Sequence, residues 1–585
     1  MYIDVVPNRS SPPAILLREA WREGKKIRKR TLANLSHWPR HKVEALRAAL
    51  KGGTVVSDLK SSFVTVRSLP HGHVAAALGT VRKLGLDRMI APRRCRERDL
   101  VEAMIVGRII APGSKLALAR GLGVEAHDTS LRRQLDLEGA GEEDLYAAMD
   151  WLLERQAAIE TKLVERHLSA GCLVLYDVTS VHFEGRCCPL AALGFPHGGP
   201  KGKLQINFGV LCDEDGRPVA VEVFEGNVGD PTTFTAQVTK MRKRFGLDRV
   251  VYVGDRGMIT SARIREDLWE EHGIDWITAL RAEQIQKLVR QGAFQPSLFD
   301  QTDLAEITSE DYPGERLVVC RNPLLAHERS RKRQELLEAT EHELDQIVQA
   351  TKRQRQPLRG KDKIGERVGK VRGRFKMAKH FKTTITEHSF SYERDQERIS
   401  KEAALDGFYV VRTSICQERM DSEKVVQSYK QLSRVEQAFR MMKSIDLKVR
   451  PIHHHLEKRV RAHVLLCMLA YYVDWHMRAA LAPLLFEEDD PQAAEAMRDS
   501  PVAKARKSPS AKAKASSKRT QDGFEVQSFD TLMKHLATIV INQNRPTIEA
   551  IADQTFDTVT QPDRLQNAAF ELLGVNASMW PRCTQ

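Results

Sequence analysis

The chain is poor in paired cysteines, in long apolar runs and in acid relative to base. Nine cysteines are spread over 585 residues, at 95, 172, 187, 188, 212, 320, 416, 467 and 583, and no C-x-x-C pair occurs. That spacing excludes a disulfide framework and the common zinc ribbons, and it suits a reducing compartment. Cys187 and Cys188 stand near His182 and His197, but adjacent cysteines rarely both ligate one tetrahedral ion, so zinc is not expected there. The most apolar late stretch, AHVLLCMLAYYVDWHM at 462–477, is too short and too interrupted to cross a bilayer. The first residues, MYIDVVPNRSSPP, carry no apolar secretory core. A cytoplasmic protein with no membrane partner is the expectation. No internal repeat is evident.

What is abundant is basic charge. Lys and Arg number 91 against 77 Asp and Glu, a formal net charge of +14. Such a surplus points toward a polyanionic partner, nucleic acid above all. Its densest run, 351–382, holds 13 Lys/Arg against two acids, more imbalance than a solvated face requires.

The length implies several domains. Residues 1–168 read as mainly helical, with helices over 40–51, 73–92, 97–112 and 142–168, preceded by two strands in 14–36 that turn at Glu23-Gly24-Lys25. A DNA-end-binding role fits this region's basic faces. From 169 to 281 the pattern becomes strand, long loop, strand, tight turn, strand, helix, strand, helix, strand. LVLYDV, LQINFGVLCD, PVAVEVFEG, RVVYVGDRGM and IDWITAL supply the strands. A mixed sheet with the second and third strands antiparallel to the first is the ribonuclease H-like arrangement, so the fold expected is an α/β catalytic core of that kind. Residues 282–410 read as an insertion with strands and a basic helical segment. The core resumes over 411–482 with helical patterns at 421–448 and 456–482. Residues 483–523, including SPVAKARKSPSAKAKASSKRT, read as a flexible basic linker. Residues 524–585 read as a helical tail, with helices near 529–540 and 546–552.

Two acids end apolar strands in the same way: Asp177 in LVLYDV and Asp255 in VVYVGD. If those strands are neighbours, the two carboxylates lie side by side and repel. A hard cation such as Mg²⁺, held by carboxylates and phosphate oxygens, would relieve that repulsion, and a third carboxylate would complete the set. VVQSYKQLSRVEQAFRMMK, 425–443, offers one. Its apolar face is Val435, Ala438, Phe439 and Met442, and Glu436 flanks it. Tyr429 and Lys443 stand seven residues to either side of Glu436, two turns each way, so all three share one side of a helix.

Here the chain resembles the DDE transposases of bacterial insertion sequences. It is most similar to the branch marked by a tyrosine–arginine–glutamate–lysine signature, which Tyr429, Glu436 and Lys443 match. The arginine position holds Leu432, with Arg434 two residues on. LYDVTS, GKLQINFGVLCDEDGRPVAVEVFEGN, YVGDRGM and RPIHHHLEKRVRAHVLLCMLAYYV also resemble this family. The resemblance implies Asp177, Asp255 and Glu436 as catalytic metal ligands for Mg²⁺, with Mn²⁺ able to substitute. It implies Tyr429, Lys443 and Arg434 as DNA contacts, and double-stranded element ends and target DNA as partners of a homodimer. The implied reaction is cleavage of DNA phosphodiesters followed by joining of 3′-hydroxyl ends to target DNA. A nuclease that cuts without joining, or an inactive DNA-binding protein, would present the same residues. Several neighbours have plainer readings. Asn227 and Asp230 suit a helix N-cap before Pro231 as well as a site contact. His182 and Glu184 suit a loop lining. His453–His455 point in different directions and suit phosphate or solvent rather than metal.

Overall fold

Strands open the chain. In the computed structural model β1 (Tyr2–Val6), β2 (Ala14–Glu23) and β3 (Lys26–Asn34) form an antiparallel sheet, with Gly24 at φ +62° in the turn between β2 and β3. That is the turn expected at Glu23-Gly24-Lys25, where only a residue free of Cβ takes positive φ without strain. A fourth strand, β4 (Phe63–Pro70), has no counterpart in the sequence reading. The structure describes all residues except 10, 54–61, 124–127, 186, 197–199, 248, 270–273, 301, 446, 548–552 and 577–585. His197 and most of the helix expected at 546–552 lie outside the described residues. Two compact units result: Met1–Leu69 with Val540–Thr560, and Pro70–Ile539 with Gln561–Gln585.

The expectation of a mainly helical region over 1–168 therefore holds only from Gly72 onward. In the first unit Arg40–Leu50 is the only described helix. Every residue of β3 is exposed. The two strands read over 14–36 are there as β2 and β3, whereas β1 and β4 were not foreseen. In the second unit the expected helix 73–92 is broken at Gly85 (φ +64°) into Gly72–Lys83 and Leu86–Ile90. Helices Arg96–Ile110, Glu142–Glu154 and Gln156–His167 follow.

The second unit is built on one mixed sheet. Its strands are β5 (Leu173–His182), β6 (Ala192–Leu193), β7 (Leu204–Cys212), β8 (Pro218–Glu225), β9 (Val250–Val253), β10 (Ile274–Ala279), β11 (Leu304–Ile307), β12 (Arg316–Arg321) and β15 (Phe408–Thr413). The order is β11-β12-β15-β10-β9-β5-β7-β6, with β8 also paired to β7. β5, β9 and β10 run parallel, while β7 is antiparallel to β5 and β8 to β7. Tyr176, Phe208, Phe234 and Tyr252 are fully buried in its core. The helix Glu457–Leu481 is buried around most of its circumference, which marks it as a core helix rather than a surface one. No described helix is long and apolar enough to cross a membrane.

The segment 282–410 is not a separate insertion throughout. β11, β12 and β15 extend the main sheet. The hairpin β13 (Phe381–Ile385) and β14 (Phe390–Arg394) packs instead with helices Pro323–Lys352 and Lys361–Phe375 around a second core of Leu337, Leu344, Ile364, Val368, Phe381 and Phe390. Residues 483–523 also differ from the flexible linker expected. They carry helices Pro491–Ala496 and Pro509–Ser517, and the second is capped by Ser508, whose hydroxyl accepts from Ala511 N at 3.1 Å. Lys514 is buried and donates to the Ala482 carbonyl at 2.7 Å while pairing with Asp489 at 2.9 Å. Composition counted Lys514 among the stretch's lysines but could not show that Asp489 and the Ala482 carbonyl receive it. At the far end, β16 (Val540–Pro546) and β17 (Phe556–Val559) join β4 in a sheet of order β17-β16-β4. Helices Phe529–Leu536 and Arg564–Leu573 complete the tail, which is thus part strand.

Candidate active site

The register of two parallel strands brings the first two acids together. Leu173 pairs with Val251 and Leu175 with Val253. Two residues beyond that last pair stand Asp177, still within β5, and Asp255, past the end of β9, and both line the same cleft. Asp177 is half-buried within β5, and its Oδ1 accepts from the Val178 amide at 2.8 Å. Asp255 is exposed, just beyond the end of β9. Gly254 stands between the strand and the acid. A Cβ there would fall 2.8 Å from Cδ1 of the buried Ile259, closer than packed carbons allow.

The third acid comes from a helix laid against this sheet. The expected helix over 421–448 is divided into Ser422–Lys430 and Leu432–Arg440, followed by a wider π-type turn over Met441–Ile445. Val435, Ala438 and Phe439 are buried, and the Phe439 ring meets Phe208 of β7 edge-on at 5.5 Å. With that face fixed, Glu436 projects beside it. Asp177, Asp255 and Glu436 line one open cleft of about 870 Å³, together with Tyr429 and Lys443.

Electrostatics report the same convergence. Burial raises the Tyr429 hydroxyl well above its ordinary value, and the charges of Asp255, Glu436 and Asp177 all push it further, against Arg256. Lys443 donates to the Thr179 hydroxyl of β5. Its ammonium is lowered to about 8 by burial and by Arg450, while Asp177 acts the other way.

Arg434 departs from expectation. It does not line the cleft; its guanidinium turns to the Glu214 carbonyl and to Asp215, 3.4 Å away. Leu432 presents an apolar side chain to the cleft in its stead. Arg440, four residues after Glu436 and on its side of the helix, does line the cleft, and that spacing was available as a signal. Asn322, Tyr409 and Lys430 were not foreseen, because the first two come from distant parts of the chain and only the sheet order brings them near. Asp230 lines the cleft, and Asn227 does not. Neither caps the following helix, whose N-cap is Gly229 without a side-chain bond. His182 faces Glu184 at 3.4 Å outside the cleft.

The three acids share a cleft without closing on a point. Among the described residues, no group of three or more His, Cys, Asp or Glu is gathered tightly enough to hold a metal ion. Cys187 is exposed and Cys188 buried, and they form no such group either.

Residues 169–473, from just before β5 into the helix Glu457–Leu481, match the family described as transposase DDE domain. The chain belongs to that family. The matched span contains all three acids, Tyr429 and Lys443, so the transposase DDE domain is the part of the chain that builds the cleft. No curated protein matches the chain. Among solved structures it is similar to a piggyBac transposase, determined by cryo-EM as a synaptic complex with hairpin DNA. The identity is 10% over 81% of each chain and the TM-score is 0.33, a likeness too distant to carry an argument about this transposase domain.

Proposed function

We propose that this protein is a DNA transposase of the bacterial insertion-sequence kind, with a ribonuclease H-like core and Asp177, Asp255 and Glu436 as its catalytic carboxylates. It binds the ends of its element as a homodimer, cuts DNA phosphodiesters and joins the freed 3′-hydroxyl ends to target DNA. The observation that best supports the reading is the single cleft that Asp177 of β5, Asp255 after the neighbouring parallel β9 and the helix-borne Glu436 all line.

The donor set fits Mg²⁺, or Mn²⁺ in its place, in kind: three hard carboxylates in an open cleft, held by a strand, a strand end and a helix. Their spread leaves substrate phosphate oxygens to complete the coordination. When bound, the metal would supply charge neutralisation at the phosphodiester and activation of the attacking oxygen. The chain's own residues do the positioning. Lys443, tied to β5 through Thr179, and the exposed Arg440 put positive charge beside the acids for a DNA backbone. Tyr429 keeps its proton and offers a donor to phosphate oxygen.

The test is cleavage of a DNA duplex carrying the element's end in Mg²⁺ or Mn²⁺, with Asp255→Asn as the variant. Loss of cleavage with retained binding supports the assignment, and retained cleavage sinks it. A second reading, a nuclease without strand transfer or an inactive DNA-binding protein, draws on Leu432 in the place of an arginine. A joined product in the same assay excludes it.

A further inference from the structure

A second cavity, of about 270 Å³, lies beside the cleft and is lined by basic side chains. Arg108, Lys115, Lys448, Arg450, His454 and His463 line it, and no carboxylate is among its lining residues. Arg108, Lys115 and His463 are each more than nine-tenths buried. Their partners are neutral. The Arg108 guanidinium donates to the Leu447 and Lys448 carbonyls at 3.4 Å, Lys115 Nζ lies 3.4 Å from His463 Nδ1, and His463 Nε2 lies 3.1 Å from the Val449 carbonyl. Tyr146, also in the lining, donates its hydroxyl to Glu142 at 3.0 Å.

Buried cations without a counter-ion cost several kcal/mol each, so such a cluster is expected to take an anion. Burial, then Arg108, lowers the Lys115 ammonium to about 7, and burial lowers His454 to about 3. A bound anion relieves both.

The position of the pocket indicates which anion. The Arg450 amide donates to the Lys443 carbonyl at 3.5 Å, and Lys443 lines the acid cleft. The same segment bridges to the end of β5 through Phe183 and Ile452, and the Glu184 amide donates to the Ile452 carbonyl at 3.1 Å. Lys443 of the cleft and Arg450 of the pocket are therefore joined by one backbone hydrogen bond. We propose that the pocket seats a backbone phosphate of the DNA strand that occupies the acid cleft, with Arg450 and Lys448 at its rim and Arg108 and Lys115 at its base. Guanidinium and ammonium together suit the tetrahedral oxygens of a phosphate. The proposal rests on the transposase reading.

The experiment uses the full chain and a mixed-sequence duplex of about 30 base pairs, with affinity measured across salt concentration. Arg450→Gln and Lys448→Gln should each flatten the slope of log K against log salt by about 0.9, the release of one counterion. Arg450→Lys, which keeps the charge, should hold the wild-type slope. Both rim variants must first show a wild-type near-ultraviolet circular dichroism spectrum. Unchanged slopes in both, with a wild type that binds the duplex, overturn the pocket and leave the cleft reading intact. A wild type that binds no DNA overturns both. A Tm rise in inorganic phosphate at constant ionic strength that Arg450→Gln abolishes, without any change in DNA slope, identifies a free-phosphate site and overturns the DNA assignment.

Discussion

The acid cleft and the basic pocket meet at one segment of chain yet treat charge in opposite ways. In the cleft, Asp255 and Glu436 are exposed and Asp177 only half-buried, so water screens their mutual repulsion until a ligand arrives. In the pocket, Arg108, Lys115 and His463 are buried and water screens little. The cleft stores its cost in geometry: two acids from neighbouring parallel strands and a third from a helix line one space. The pocket stores it in desolvation, which shows as depressed basicity at Lys115, His454 and His463. Both are departures from charge balance that packing alone would not select, and that is why both point to a ligand.

The sharpest break in that comparison is expected at the cleft. Asp255→Asn should lower metal-dependent cleavage by more than about 10²-fold, since loss of even an outer-sphere partner of a metal ligand costs 10–100-fold. Single-turnover kinetics on a DNA end would show it. The next largest effect is expected at the pocket, with the opposite consequence for the fold. Lys115→Met should raise stability by about 1–4 kcal/mol, as apolar replacement of buried charge often does, and weaken DNA binding. The sign with pH follows from the lowered value. The unfolded lysine holds its proton to near 10.5 and the folded one only to about 7, so the wild-type penalty is full below pH 7 and fades as pH rises between those values. The Tm advantage of Lys115→Met should therefore be larger at pH 6 than at pH 9.

Smaller effects sharpen the picture at the cleft rim. Leu432→Arg should add about one phosphate contact, steepening the salt slope of DNA binding by about 0.9. Arg434→Ala should change cleavage least, because its side chain serves the Glu214–Asp215 turn. A stability loss of about 1 kcal/mol in chemical denaturation is the expected readout.

The contrast also explains what could be read from the residues alone. Asp177 and Asp255 were singled out because each follows an apolar run; the first lies within β5 and the second just beyond β9, and those strands pair in parallel. Glu436 was legible because helix periodicity fixes which side chains flank a buried stripe. Arg434 was named for its nearness to the signature position along the chain, whereas helix face puts Arg440 in the cleft. The basic pocket could not be assembled from sequence. Its base comes from residues 108 and 115 and its rim from 448–450, more than 300 positions apart. β4 was invisible because its pairing partner lies at the other end of the chain. The stretch at 483–523 was misread because charge composition cannot tell a lysine in water from one that donates to a buried carbonyl, as Lys514 does.

Gly254 carries a consequence for how such a protein can be silenced. Its missing side chain lets the backbone pass Ile259 closely, directly before Asp255. A methyl group added there would press on the buried Ile259 side chain, so either that side chain or the turn carrying Asp255 has to give, with every acid in the sequence intact. On the proposed reading, a gene copy with Gly254→Ala would cut DNA less well while still showing a full set of carboxylates.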